Sequence, residues 1–84
     1  MTTYTADIKP LFRPGDIACM ARGGVLLDNQ AWMCDPAASP DFPDHGNARV
    51  VFQQLQAGHM PPDGAWPPAQ IAAYQGWMNG GFLP

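Results

Sequence analysis

The stretch Ala48-Arg49-Val50-Val51-Phe52-Gln53-Gln54-Leu55-Gln56-Ala57-Gly58 decides the fold class. Ala48, Val51, Phe52 and Leu55 fall at i, i+3, i+4 and i+7, which lays one apolar stripe along a helix. Gly58 can take the left-handed conformation that closes such a helix. Further on, Pro67 and Pro68 suit the first turn of a last helix, where a missing N–H has no intrahelical partner to lose. On that helix Ile71, Tyr74 and Met78 share a face with Trp77 beside them, and Gly80 or Gly81 ends it. No segment alternates with period two, so no sheet is expected. The prediction is a single all-α domain over residues 1–84, with four to five short helices and long ordered loops.

Upstream, Asp7 is expected to cap a first short helix running through Phe12, with Pro10 in its first turn, and Pro14-Gly15 ends that segment. Asp16 is expected to cap a second turn carrying Ile17, Cys19 and Met20, broken by Gly23-Gly24. Val25, Leu26 and Leu27 form an apolar run, after which Asp28 caps a short helix bearing Trp32 and Met33. Pro36, Pro40 and Pro43 mark residues 35–46 as loop, and Asp44 to Asn47 offers the next cap.

Composition narrows the function classes. Only 13% of residues are charged, and with four Lys and Arg in total no basic stripe exists to neutralise phosphates. No apolar run approaches the roughly 20 residues a bilayer span requires. The opening Met1-Thr2-Thr3-Tyr4-Thr5 has neither a basic nor an apolar leader region, which predicts a cytoplasmic protein. Cys19 and Cys34 should then be reduced.

Two sets of motifs carry a family resemblance. Leu55-Gln56-Ala57-Gly58, His59-Met60-Pro61-Pro62, Trp66-Pro67 and Trp77-Met78-Asn79-Gly80-Gly81 resemble the C-terminal half of bacterial class I cytochromes c. In that family the Met of G-x-M-P-P is the distal haem ligand, and it maps onto Met60. Asp7-Ile8-Lys9-Pro10-Leu11-Phe12 is similar to the lead-in of the family's C-x-x-C-H motif, and Gly23-Gly24-Val25-Leu26-Leu27-Asp28 to the element after it. The motif itself falls on Asp16-Ile17-Ala18-Cys19-Met20: Asp16 stands for the first haem cysteine, Cys19 is retained, and Met20 stands for the proximal His. Thioether attachment needs both thiols and the imidazole sets the iron's coordination, so the resemblance implies the family's fold, with its first and last long segments packed together, without ordinary haem attachment.

On that resemblance the expected function is a haem-free accessory module that docks on a partner protein, a bacterial oxidoreductase, with no cofactor and no catalysis of its own. The contact patch is expected at His59, Met60 and an exposed Trp66. An alternative from a different class is an electron-transfer protein with haem held non-covalently or by Cys19 alone, Met60 and Met20 being the axial ligands. A third is Cu(I) binding through Met60 and Met20, with Cys19, Met33, Cys34, His45 and His59 as further soft donors. Adjacent pairs such as Met33-Cys34 and His59-Met60 seldom converge on one metal, and methionine also serves as adaptable core filler. No nucleophile elbow or oxyanion loop accompanies Cys19. If the haem volume is not occupied by haem, Trp32, Trp66, Trp77, Phe52, Tyr74 and the methionines are expected to collapse into it, since a void that size would cost several kcal/mol.

Overall fold

A computed structural model describes residues 2–58 and 66–84. Among them the chain is helical, with no strand. It opens with a π-helical turn, Tyr4–Ile8, running into a 3-10 turn, Lys9–Leu11. Four α-helices follow: α1 Pro14–Ala21, α2 Gln30–Met33, α3 Gly46–Ala57 and α4 Pro68–Asn79. None is long and apolar enough to cross a membrane.

The two helices read from apolar spacing stand where expected. α3 buries Ala48, Val51 and Leu55, with Phe52 half-buried beside them. Gly58 closes it at φ +79, its N–H returning to the Leu55 carbonyl. α4 buries Tyr74 and Trp77 and ends in paired bonds, Gly81 N–H to Met78 O and Phe82 N–H to Trp77 O, with Gly81 left-handed at φ +105. This six-to-one and five-to-two pair is the Schellman closure that glycine permits without a Cβ clash. Gly24, at φ +83, closes α1 the same way, with Val25 N–H on Met20 O and Gly24 N–H on Ala21 O.

The three aspartate caps do not hold. The first turn is capped by Thr3, whose hydroxyl accepts from Ala6 N–H, while Asp7 reaches back to the Thr3 N–H at 2.8 Å. Asp16 lies inside α1 at its third position, because Pro14, pre-set in φ, begins the helix two residues earlier. Asn29, not Asp28, caps α2 through Trp32 N–H at 2.9 Å. At α3 the cap position is His45, itself left-handed at φ +46 and giving no side-chain cap. Gly46 starts this helix because a Cβ there would lie 2.4 Å from the Ser39 Cβ.

The first and last segments do pack together. Tyr4 N–H donates to Leu83 O at 2.8 Å and Thr5 N–H to Pro84 O at 3.1 Å. Tyr4 stacks obliquely on Trp77 with ring centroids 5.6 Å apart. One continuous core results, and most of its bulk is aromatic: Tyr4, Phe12, Trp66, Tyr74, Trp77 and Phe82, with Ile8, Leu27, Met33, Ala48, Val51 and Leu55 between them. Of the side chains expected to fill the centre, Trp66, Trp77, Tyr74 and Met33 do so. Trp32, Phe52, Met20 and Met78 lie at its edge. Tyr4, Phe12 and Phe82 complete it.

Candidate functional site

The segment Asp16–Met20 is a continuous part of α1. Asp16 and Met20 are four residues apart and so share a face, which is turned toward the protein: Asp16 is 6% exposed and Met20 is half-buried against the core. Cys19 lies outside that face and is exposed. The Asp16 carboxylate is fully engaged by Arg13. It accepts from Nε and Nη2 at 3.0 Å each, a fork-to-fork pair, and from the Arg13 backbone N–H at 3.3 Å. These residues do not fit a haem attached through two thioethers. One thiol is available where two vinyl groups need two, and the other position holds a carboxylate that secures the start of a helix.

The remaining site expectations divide. His59 and Met60 lie outside the described residues. Trp66 is not an exposed contact residue: it is 7% exposed, packed on Phe12 at 5.2 Å and edge-on to Tyr74 at 6.3 Å. Its flat apolar surface follows the hydrophobic gradient inward because two aromatic neighbours are there to receive it. Both cysteines are free thiols. Among the described residues no three His, Cys, Asp or Glu side chains are grouped so as to hold a metal ion.

Among the described residues, burial acts on the two core tyrosines and on Cys34 at the core's edge. The Tyr4 hydroxyl donates to Leu27 O, and the Tyr74 hydroxyl donates to Ala48 O at 2.7 Å. Burial raises both phenols well above their ordinary value, with Asp28 and Cys34 adding to the effect at Tyr4, and Tyr4 and Cys34 at Tyr74. Burial also raises the Cys34 thiol. The two tyrosines are neutral hydrogen-bond donors held in an apolar core, which is a structural role rather than an acid–base one.

The surface between α3 and α4 is more suggestive. The helices run antiparallel, and two open clefts lie along their seam. One, of about 420 Å³, is lined by Phe42, Phe52 and Met78 together with Arg49, Gln53 and Asn79. The other, of about 400 Å³, is formed by Leu55, Trp66, Pro68, Ile71 and Ala72. Gln56 and Gln75 border both, so the clefts are two halves of one groove, polar at one end and apolar at the other.

Beside the polar end stands a compact cluster. His45 stacks on Phe82 with centroids 3.8 Å apart and planes 4° from parallel. Phe82 is left-handed like His45, at φ +55, so the stack joins two backbone positions that non-glycine residues rarely adopt. His45 Nδ1 lies 2.7 Å from Asp44 Oδ2, and the Arg49 guanidinium sits 5.2 Å over the Phe82 ring while donating to Asp44. Hydrogen bonding from His45, then from Arg49, holds the Asp44 carboxyl below its usual range. Sequence reading missed this cluster. Its one advance sign was Asp44-His45-Gly46 directly before the apolar stripe.

No family model, curated protein or solved structure matches this chain.

Proposed function

We propose that this protein is a haem-free, cytochrome c-like interaction module that docks on a partner protein, an oxidoreductase. The observation that carries the reading is the Asp16–Arg13 fork. Asp16 occupies the place where the resemblance puts a haem cysteine, and its carboxylate is used to secure α1. The aromatic core supports the same reading, since Tyr74 meets both Trp66 and Trp77 there. The absence of a basic surface, with four Lys and Arg in the chain, argues for a protein partner over a nucleic acid.

Purification of the chain from its native host tests this directly. A colourless protein that co-elutes in defined stoichiometry with an oxidoreductase encoded beside it is the expected result. A strong absorption band near 400 nm, with stoichiometric iron, would replace the proposal with electron transfer by a non-covalently held haem, using Met20 and Met60.

A further inference from the structure

We infer that the α3–α4 groove is a recognition site for the C-terminal tail of another protein, taken as an extended peptide. This rests on the reading that the domain docks on a protein. Three features of the groove select the occupant.

The first is length. α4 contributes from Pro68 to Asn79, about 16 Å at 1.5 Å per residue. An extended peptide rises about 3.3 Å per residue, so roughly five residues fit end to end. The second is the pattern of donors. Gln53 and Gln56 stand on α3, facing Gln75 and Asn79 on α4. All four are exposed, and none makes a side-chain hydrogen bond to another described residue. A side-chain amide offers two N–H donors and one carbonyl acceptor, which is what the alternating N–H and C=O groups of an extended backbone need from both sides.

The third is polarity along the groove. Among the described residues its one charged lining residue, Arg49, stands at the polar end. Asp44 engages Nε and Nη2 of that guanidinium, which leaves Nη1 to donate to a terminal carboxylate. The Arg49–Asp44 pair is itself solvent-exposed, with side chains 34% and 47% accessible, so it competes weakly with an incoming anion. At the other end Leu55, Trp66 and Ile71 form an apolar recess suited to a side chain about four residues before that carboxylate. A charged-to-apolar order of this kind fixes the direction in which the tail lies.

The test uses the whole chain and a fluorescein-labelled hexapeptide with a free C-terminal carboxylate, leucine at the fourth and fifth positions from that end, and serine elsewhere. Fluorescence anisotropy should show saturable binding, weakened at least tenfold when the carboxylate is converted to an amide and at least tenfold by Arg49→Gln. Because Arg49 also holds Asp44, a second variant, Gln75→Ala, alters an exposed amide alone and should weaken binding about threefold with no change in the unfolding midpoint. Equal affinity for acid and amide, or no saturable binding at millimolar peptide, overturns the proposal. If a partner oxidoreductase binds the domain and Arg49→Gln leaves that complex intact, the groove assignment fails while the docking reading stands. If the peptide binds and no oxidoreductase does, the groove stands and the docking partner was wrongly named.

Discussion

Two regions of this small protein solve helix formation in opposite ways. The α3–α4 pair is held by what it buries: Ala48, Val51 and Leu55 on one helix meet Tyr74 and Trp77 on the other, and the Tyr74 hydroxyl bonds across to Ala48 O. α1 is held by what caps it. Its only fully buried residue is the charged Asp16, its Ile17 and Met20 reach only the edge of the core, and Arg13 and Gly24 fix its two ends. An apolar stripe makes a helix part of the global folding unit. Local polar closure makes one that can loosen by itself, since its stability comes from bonds within a few residues.

Cutting the core helix should give the largest effect. Trp77 is fully buried against Tyr4, Tyr74 and Phe82, and its Nε1–H donates to Leu83 O at 2.8 Å. Trp77→Ala should cost about 3–5 kcal/mol, from lost transfer energy plus the cavity. Against a total of about 4–13 kcal/mol at typical stability per residue, that removes much of the margin. Urea denaturation followed by circular dichroism measures it. A loss under 1 kcal/mol would mean that the aromatic cluster is not the organising core.

Alkali should strike the same region next. Tyr4 and Tyr74 are neutral donors with folded-state pKa values above that of the unfolded chain. Their contribution is therefore complete below about pH 10 and is lost as pH rises above it, because the unfolded chain then releases protons that the folded one retains. Each such tyrosine lowers stability by about 1.4 kcal/mol per pH unit in that window. Urea midpoints measured from pH 8 to pH 11.5 should stay level and then fall. Tyr74→Phe should shallow the fall, and a midpoint indifferent to pH would place both hydroxyls in water.

The smallest change belongs to α1. Asp16→Ala removes a helix-start interaction worth about 1 kcal/mol, a small loss because the Arg13 side chain that bonds to it is 56% exposed. Amide exchange should speed up in residues 14–21 and stay slow in α3 and α4. If exchange rose equally everywhere, the contrast between capped and buried helices would collapse.

The same contrast explains what could be read in advance. Periodicity announced α3 and α4 because four or five apolar side chains at fixed spacing express one burial decision. The helix starts were legible only as neighbourhoods. Asp28 and Asn29 are adjacent and chemically alike, and the backbone selected Asn29. A proline already set for helix moved the start of α1 ahead of Asp16. Trp66 is expected both in a contact patch and in the refilled centre, and its neighbours in space, Phe12 and Tyr74, put it in the core. The α3–α4 groove left no linear signature, since it exists only once glutamines from two helices face one another.

The backbone bonds from Tyr4 to Leu83 and from Thr5 to Pro84 have a consequence for how the molecule is made. During synthesis the earliest residues must wait, solvated and unpaired, until α4 and the residues after it have emerged. The α3–α4 hairpin, whose partners are close along the chain, can form before that wait is over, but the loop joining Tyr4 to Trp77 closes last and carries the largest entropy cost. Closure of this part of the core thus waits for Leu83 and Pro84 to emerge, and a nascent chain stalled before them would hold Tyr4 and Trp77 open to any chaperone nearby.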